Sequence, residues 1–190
     1  TTAGGAFQSA PFETVATFPS TAPTENIIQA PDGAIYVTGI DDKVIWKVAG
    51  GRVDRFASFP SMAAVLGIAL SGNSIAVTTW ERRWAGPAVD FSDLGPHVVV
   101  LDKSGTVTAT IAGQKGSAYN GIASAGNGAL LVADTNTPTL WKVDVAQGRI
   151  DPWLKDPLLG GPGPRGPGGA NGIKVRNGWV YVSVGGRRTI

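Results

Sequence analysis

The 190-residue chain contains no cysteine and a single histidine, His97. Without cysteine there is no disulfide scaffold, no thiolate zinc site and no cysteine nucleophile. One histidine removes zinc centres built on several imidazoles, and a Ser-His-Asp triad would have to use His97 itself. Charge is also sparse. Only 16% of residues are charged, and 16 Lys+Arg against 14 Asp+Glu leave a net charge of +2. No run of Lys or Arg exceeds the pairs Arg82-Arg83 and Arg187-Arg188, which argues against a phosphate-tracking surface. No apolar run approaches the ~20 residues of a membrane-spanning helix. Neither nucleic acid nor membrane is therefore an expected partner. No secretory leader is visible at Thr1. The start Thr1-Thr2-Ala3-Gly4-Gly5 reads as a processed N-terminus or an exposed tail. The expected location is extracellular or periplasmic, with the cytoplasm as the alternative.

What is present is core material and turns. Hydrophobic residues make up 43%, Gly 27 and Pro 13 positions, and helical periodicity is hard to find. Short β-branched runs bounded by Gly, Asn, Asp and Pro dominate, as in all-β proteins. These runs repeat. Glu25-Asn26-Ile27-Ile28, a Pro31-Asp32-Gly33 turn, Ala34 to Val37, then Val44-Ile45-Trp46-Lys47-Val48 and Gly50-Gly51 form one unit. Asn120-Gly121-Ile122-Ala123, Gly126-Asn127-Gly128, Ala129 to Val132, then Leu140-Trp141-Lys142-Val143 and Gln147-Gly148 form another. A diverged unit starts at Leu66-Gly67-Ile68, and a shorter one at Asn171-Gly172-Ile173. The starts at Glu25, Leu66, Asn120 and Asn171 are 41, 54 and 51 residues apart. A four-stranded repeat of ~40–50 residues is the mark of a propeller blade. The chain is thus expected to be one all-β domain over residues 1–190, a β-propeller supplying about three and a half blades.

Propellers close with at least about four blades, and an open arc exposes sheet edges. The sequence is therefore expected to be incomplete, continuing past Ile190 or joined by a second polypeptide. Phe12 to Phe18 reads as an outer strand completing the last blade. Trp46, Trp141 and Trp153 are expected in the interior or between blades, because large apolar rings dominate such packing.

Antiparallel geometry sorts the connections onto two faces. The turns within the first and second strand pairs are tight, and Asp32, Asn73, Asn127 and Asn177 in them read as structural. The other face holds the long connections, including residues 78–97 and 155–170, so function is expected there. The same face carries the first residue of each innermost strand. Glu25, Asn120 and Asn171 would point toward a common axis, with Leu66 breaking the column. One carboxylate and two amides suit a hard cation, Ca²⁺ above all. The competing reading is that Asn before Gly serves a turn.

Together these motifs resemble the regucalcin/gluconolactonase family over roughly residues 12–190, and more distantly the paraoxonases and strictosidine synthase. The resemblance implies a six-bladed propeller with a divalent metal in its channel, at which lactones or related esters are hydrolysed. It implies that Glu25 and Asn120 are metal ligands. Asn171 falls where many members carry an aspartate that is both ligand and general base. An asparagine does not accept a proton near neutral pH. The base would then be a carboxylate elsewhere or hydroxide held on the metal, or the protein binds without catalysing. The resemblance also places a substrate-covering loop at 78–97, with Trp80, Glu81, Arg82, Trp84 and Phe91 as substrate-binding residues. The competing reading is a surface loop packed on its own rings. His97 reads as a strand-edge residue or, alternatively, a catalytic one. A small-molecule substrate is the expected partner. The first expectation is a Ca²⁺-type lactone or ester hydrolase, and the second a non-catalytic propeller binding a small molecule or protein on the long-loop face. A condensing enzyme of the strictosidine-synthase type ranks third, since it needs a carboxylate base that these residues do not place.

Overall fold

A computed structural model describes residues 13–82, 93–163 and 166–190. It is built almost wholly of antiparallel sheet. The first blade comprises β1 (Thr24–Gln29), β2 (Ile35–Gly39), β3 (Val44–Ala49) and β4 (Arg52–Ser58). The second comprises β5 (Ala64–Ser71), β6 (Ser74–Trp80), β7 (Pro96–Leu101) and β8 (Val107–Ala112). The third comprises β9 (Tyr119–Gly126), β10 (Ala129–Asp134), β11 (Thr139–Asp144) and β12 (Arg149–Lys155). A two-residue hairpin follows, β13 (Pro162–Gly163) and β14 (Gly166–Pro167). The inner pair of a fourth blade is β15 (Ala170–Arg176) and β16 (Trp179–Val184). The innermost strands β1, β5, β9 and β15 pack side by side in chain order. This is the β-propeller arrangement, with about three and a half blades present.

The turns follow from the sequence. Asn127-Gly128 and Asn177-Gly178 each place both residues at positive φ, 51° and 74°, then 52° and 77°. Those angles match the right-handed twist of the hairpins they close. Alternation along each strand buries one face against the blade before and the other against the blade after. Between blades one and two lie Tyr36, Ile45, Val65, Ile68, Val77 and Leu101. Between two and three lie Val98, Val100, Ile122, Val132, Trp141 and Val143. Between three and four lie Leu131, Leu140 and Ile173, with Val180 and Val182 partly buried.

Three expectations need correction. Residues 13–23 form no strand; Phe18 instead lays its ring 6.2 Å from that of Trp46. A strand needs a partner edge, and among the described residues none is offered there. Phe12 lies outside the described residues. Trp46 and Trp141 are buried as expected, but Trp153 is 47% exposed, because β12 is an outer strand and part of its face is uncovered. Trp80 is not a lid residue. It ends β6, and its indole packs with Ala64, Leu66, Leu94 and Ala118 while Nε1 donates to the Tyr119 carbonyl at 2.8 Å. An indole that satisfies its one donor inside the core is committed to packing.

Candidate functional site

Each innermost strand carries a bulge at the same place. Two residues, Glu25-Asn26, Leu66-Gly67, Asn120-Gly121 or Asn171-Gly172, oppose a single residue of the neighbouring strand. Those single residues are Thr38, Thr78, Ala133 and Ser183. A bulge re-aims side chains out of the alternating pattern and is common beside functional sites. Here it lies near the long-loop end of every innermost strand.

The opposing hydroxyls hold the bulges in place. Thr38 Oγ1 accepts from Asn26 N at 3.0 Å and donates to the Leu66 carbonyl of the next blade at 2.6 Å. Thr78 Oγ1 accepts from Gly67 N at 2.8 Å and donates to the Asn120 carbonyl at 2.5 Å. Ser183 Oγ accepts from Gly172 N at 2.9 Å. In the third blade Ala133 leaves this role vacant, and Thr135 Oγ1 donates instead to the Ala170 carbonyl at 3.1 Å. The glycines permit the close approach. A Cβ on Gly67 would overlap the Asn120 carbonyl oxygen, and one on Gly121 the Asn171 carbonyl oxygen.

This frame brings Glu25 and Asn120 together. The Asn120 side chain comes close enough to the Glu25 carboxyl to influence its proton. Burial of that carboxyl pushes its pKa above the ordinary value of 4.5, and the Asn120 side chain pulls it partly back. Glu25 is exposed as a residue, so its carboxyl is withdrawn from water only in part. Asn120 is only 7% exposed, and its Oδ1 is buried without a hydrogen-bond partner. Only the amide nitrogen can donate to a carboxyl, so it is the end of the amide turned to Glu25, and the oxygen is left without a partner. An unpaired buried carbonyl costs about 1–3 kcal/mol and so demands an explanation. Asn171 occupies the corresponding bulge of β15 and is exposed. Leu66, at the fourth position, is buried.

Glu25, Asn120 and Asn171 carry oxygens of the hard-donor type that a calcium-like cation takes, and of the three only Glu25 and Asn120 are shown to meet. The leftover Oδ1 of Asn120 is the observation in favour of that fit. Among the described residues no three of His, Asp and Glu cluster, so any ion here would lean on amide oxygens.

Asp134 was not singled out in the sequence. It is fully buried, next to the Asn120 bulge through its pairing with Tyr119. Its Oδ1 accepts from the backbone N–H of Ala118, Asn136 and Thr137, at 2.9, 2.9 and 3.1 Å. Its Oδ2 accepts from Thr137 Oγ1 at 2.5 Å and Trp141 Nε1 at 3.0 Å. Five donors use up a carboxylate's lone pairs, so Asp134 anchors the 135–138 loop. Burial pushes the neighbouring Tyr119 phenol far up; it stays protonated and accepts from Gln114 N at 3.0 Å.

The remaining residues lie apart from this column. His97 is on β7, two strands out from β5, or about 10 Å at the usual spacing. Its Nδ1 is 2.9 Å from the Gly95 carbonyl and its Nε2 is 3.4 Å from Glu81 Oε1. Arg82 pairs with Asp93 at 3.6 Å, both well exposed. Glu81 and Arg82 thus stand at the base of the 81–95 connection, on the long-loop face. Trp84 and Phe91 lie outside the described residues.

No protein-family model matches the sequence, and no curated protein matches it either. Solved structures do match in fold. A streptogramin B lyase superposes with a TM-score of 0.64 at 13% identity, covering 89% of this chain and 51% of the other. A protein inferred to be a gluconolactonase gives 0.61 at 18% identity, covering 85% and 57%. A PQQ-bound aldose sugar dehydrogenase from Streptomyces coelicolor gives 0.61 at 17% identity, covering 90% and 58%. The chain spans between 51% and 58% of the length of these structures. At such identities the likeness establishes the β-propeller fold.

Proposed function

We propose that this chain forms part of a six-bladed propeller hydrolase of the regucalcin/gluconolactonase type, cleaving a lactone or related ester. The observation that carries the reading is the buried, unpartnered Oδ1 of Asn120 beside the Glu25 carboxyl. Glu25, Asn120 and Asn171 would hold a divalent cation, Ca²⁺ by the chemistry of their oxygens. Bound there, the cation would supply Lewis acidity toward a substrate carbonyl. The chain's own residues do the rest. Glu25 brings the negative charge. Asn120, gripped through its backbone by Thr78, sets the orientation. Asn171 faces solvent and offers its amide to an incoming oxygen. Three similar structures put a lyase, an inferred lactonase and a sugar dehydrogenase on this fold, so the fold alone does not choose the reaction. The oxygen donors of Glu25, Asn120 and Asn171 are what supports the metal-assisted hydrolytic reading.

A panel of γ- and δ-lactones and aryl esters tests the proposal. Turnover is expected with Ca²⁺, is lost in excess chelator and returns with Ca²⁺. Glu25→Gln and Asn120→Ala should abolish it. Full turnover in chelator would overturn the metal role. A second reading is a non-catalytic binder. It is favoured by Asn171, which takes no proton, and by the saturation of Asp134. Saturable binding of a panel compound without turnover would decide for it.

A further inference from the structure

A cleft of about 240 Å³ opens between blades one and two on the tight-turn face, at the other end of β1 and β5 from the bulges. Both flanking blades have all four strands. Three turns rim the cleft, bringing Asp32, Asn73 and Lys103. Tyr36, Leu70 and Ile75 wall it, together with Lys47 of β3.

Each part is held in place. The Tyr36 ring meets Phe56 edge-on, with centroids 4.9 Å apart, and Lys47 Nζ stands 5.6 Å from the Tyr36 centroid. Gly105 approaches Phe56 so closely that a Cβ there would overlap the Phe56 carbonyl oxygen. That contact docks the β7–β8 turn, and Lys103 with it, onto blade one. The nearby carboxylates serve their own turns or another cation. Asp102 Oδ1 accepts from Ser104 N and Thr106 N at 2.8 and 3.0 Å. Asp32 Oδ1 accepts from Ala34 N at 3.1 Å. Asp54 is the cross-strand partner of Lys47 but pairs with Arg52 at 3.2 Å. Among the described residues neither Lys47 nor Lys103 forms an ion pair. Two lysines against Asp32 leave one positive charge in excess.

The repeat does not require this arrangement. At the next boundary Ala76 and Val100 hold the ladder positions of Tyr36 and Lys47, and both are buried in the apolar cluster between blades two and three.

We propose that the cleft is a binding site for a small organic carboxylate. Its charged group lies between Lys47 and Lys103, and its apolar body lies against Tyr36, Leu70 and Ile75. Apolar walls with a few placed polar groups are the usual make-up of a ligand site, and the volume falls below the ~300–1,000 Å³ of drug-sized ones. The occupant is therefore a single ring or a short chain. Inorganic phosphate, hydrated all round, gains nothing from the hydrocarbon walls, and the cleft has no arginine fork to grip it.

Benzoate is the probe, titrated into the isotope-labelled protein and followed by amide chemical shifts, with benzamide and inorganic phosphate alongside. Saturable shifts are expected at residues 31–33, 72–74 and 102–105, and benzamide and phosphate should leave them unmoved. Lys47→Met and Lys103→Met should each weaken benzoate about two- to fivefold, the range of single, partly screened charge pairs. Lys103 is exposed, so its substitution should not alter the melting curve. Lys115→Met, outside the cleft, should bind like the parent. Absence of saturable shifts at tens of millimolar benzoate overturns the proposal. Equal binding of benzamide would make the cleft an apolar gap, and binding of phosphate in preference to benzoate would make it an inorganic-anion site; either result overturns it. Benzoate binding unchanged in both lysine variants does the same.

Discussion

Replacing Thr78 with valine removes one oxygen and nearly keeps the shape of the side chain. That oxygen joins two blades. It accepts from Gly67 N at 2.8 Å and donates to the Asn120 carbonyl at 2.5 Å, and Thr78 has no solvent exposure. In the variant an N–H and a carbonyl are both stranded in the interior. Each costs about 1–3 kcal/mol, and the buried methyl returns a fraction. The net loss is ~3 kcal/mol. For a chain of this size that lowers Tm by roughly 6–12 °C, at about 2–4 °C per kcal/mol. Urea unfolding followed by circular dichroism measures it. Thr110→Val on the exposed side of β8 is the control, expected within about 0.5 kcal/mol of the parent. If Thr78→Val also falls within that range, the hydroxyl does not hold the bulges and the account of how Asn120 is positioned is wrong.

Gly121→Ala drives a methyl into the Asn171 carbonyl. The innermost strands must then move apart, at ~1–3 kcal/mol, with a lower unfolding midpoint; an unchanged midpoint would refute the close approach. Glu25 gives a pH signature. Its folded pKa lies above the ordinary 4.5 because burial disfavours the charge. The folded state therefore holds this proton more tightly than the unfolded one. Its contribution to stability is complete below the unfolded pKa and disappears as pH rises through the folded one. In cation-free buffer, Glu25→Gln should remove that part of the stability–pH curve; identical curves for the two proteins would contradict it.

Much of the fold was legible because the repeat is written twice over. Trp46-Lys47-Val48 and Trp141-Lys142-Val143 fix the third strands, and the Asn-Gly turns fix the hairpins. The Glu25–Asn120 column was legible as register, though the bulges that create it were not, since a bulge is a property of pairing. The hydroxyls went unnoticed although they sit one position past each aligned valine, at Val37-Thr38, Val77-Thr78 and Val182-Ser183. Asp134 was missed because it looked like an ordinary loop-entry residue. Its five donors come from three separate stretches of chain, and a linear pattern does not display them. Trp80 and Trp153 were misplaced for opposite reasons. Trp80 adjoins a charged insertion yet has a carbonyl to bond inside. Trp153 alternates like a core residue but sits on an outer strand.

The most direct test is calorimetric titration of Ca²⁺ into the chelator-treated protein, parent against Glu25→Gln and Asn120→Ala. The account predicts one saturable site in the parent, lost or weakened at least about a hundredfold in each variant, as when a charged or buried oxygen ligand is deleted. No binding to the parent, or equal binding by all three proteins, would contradict it.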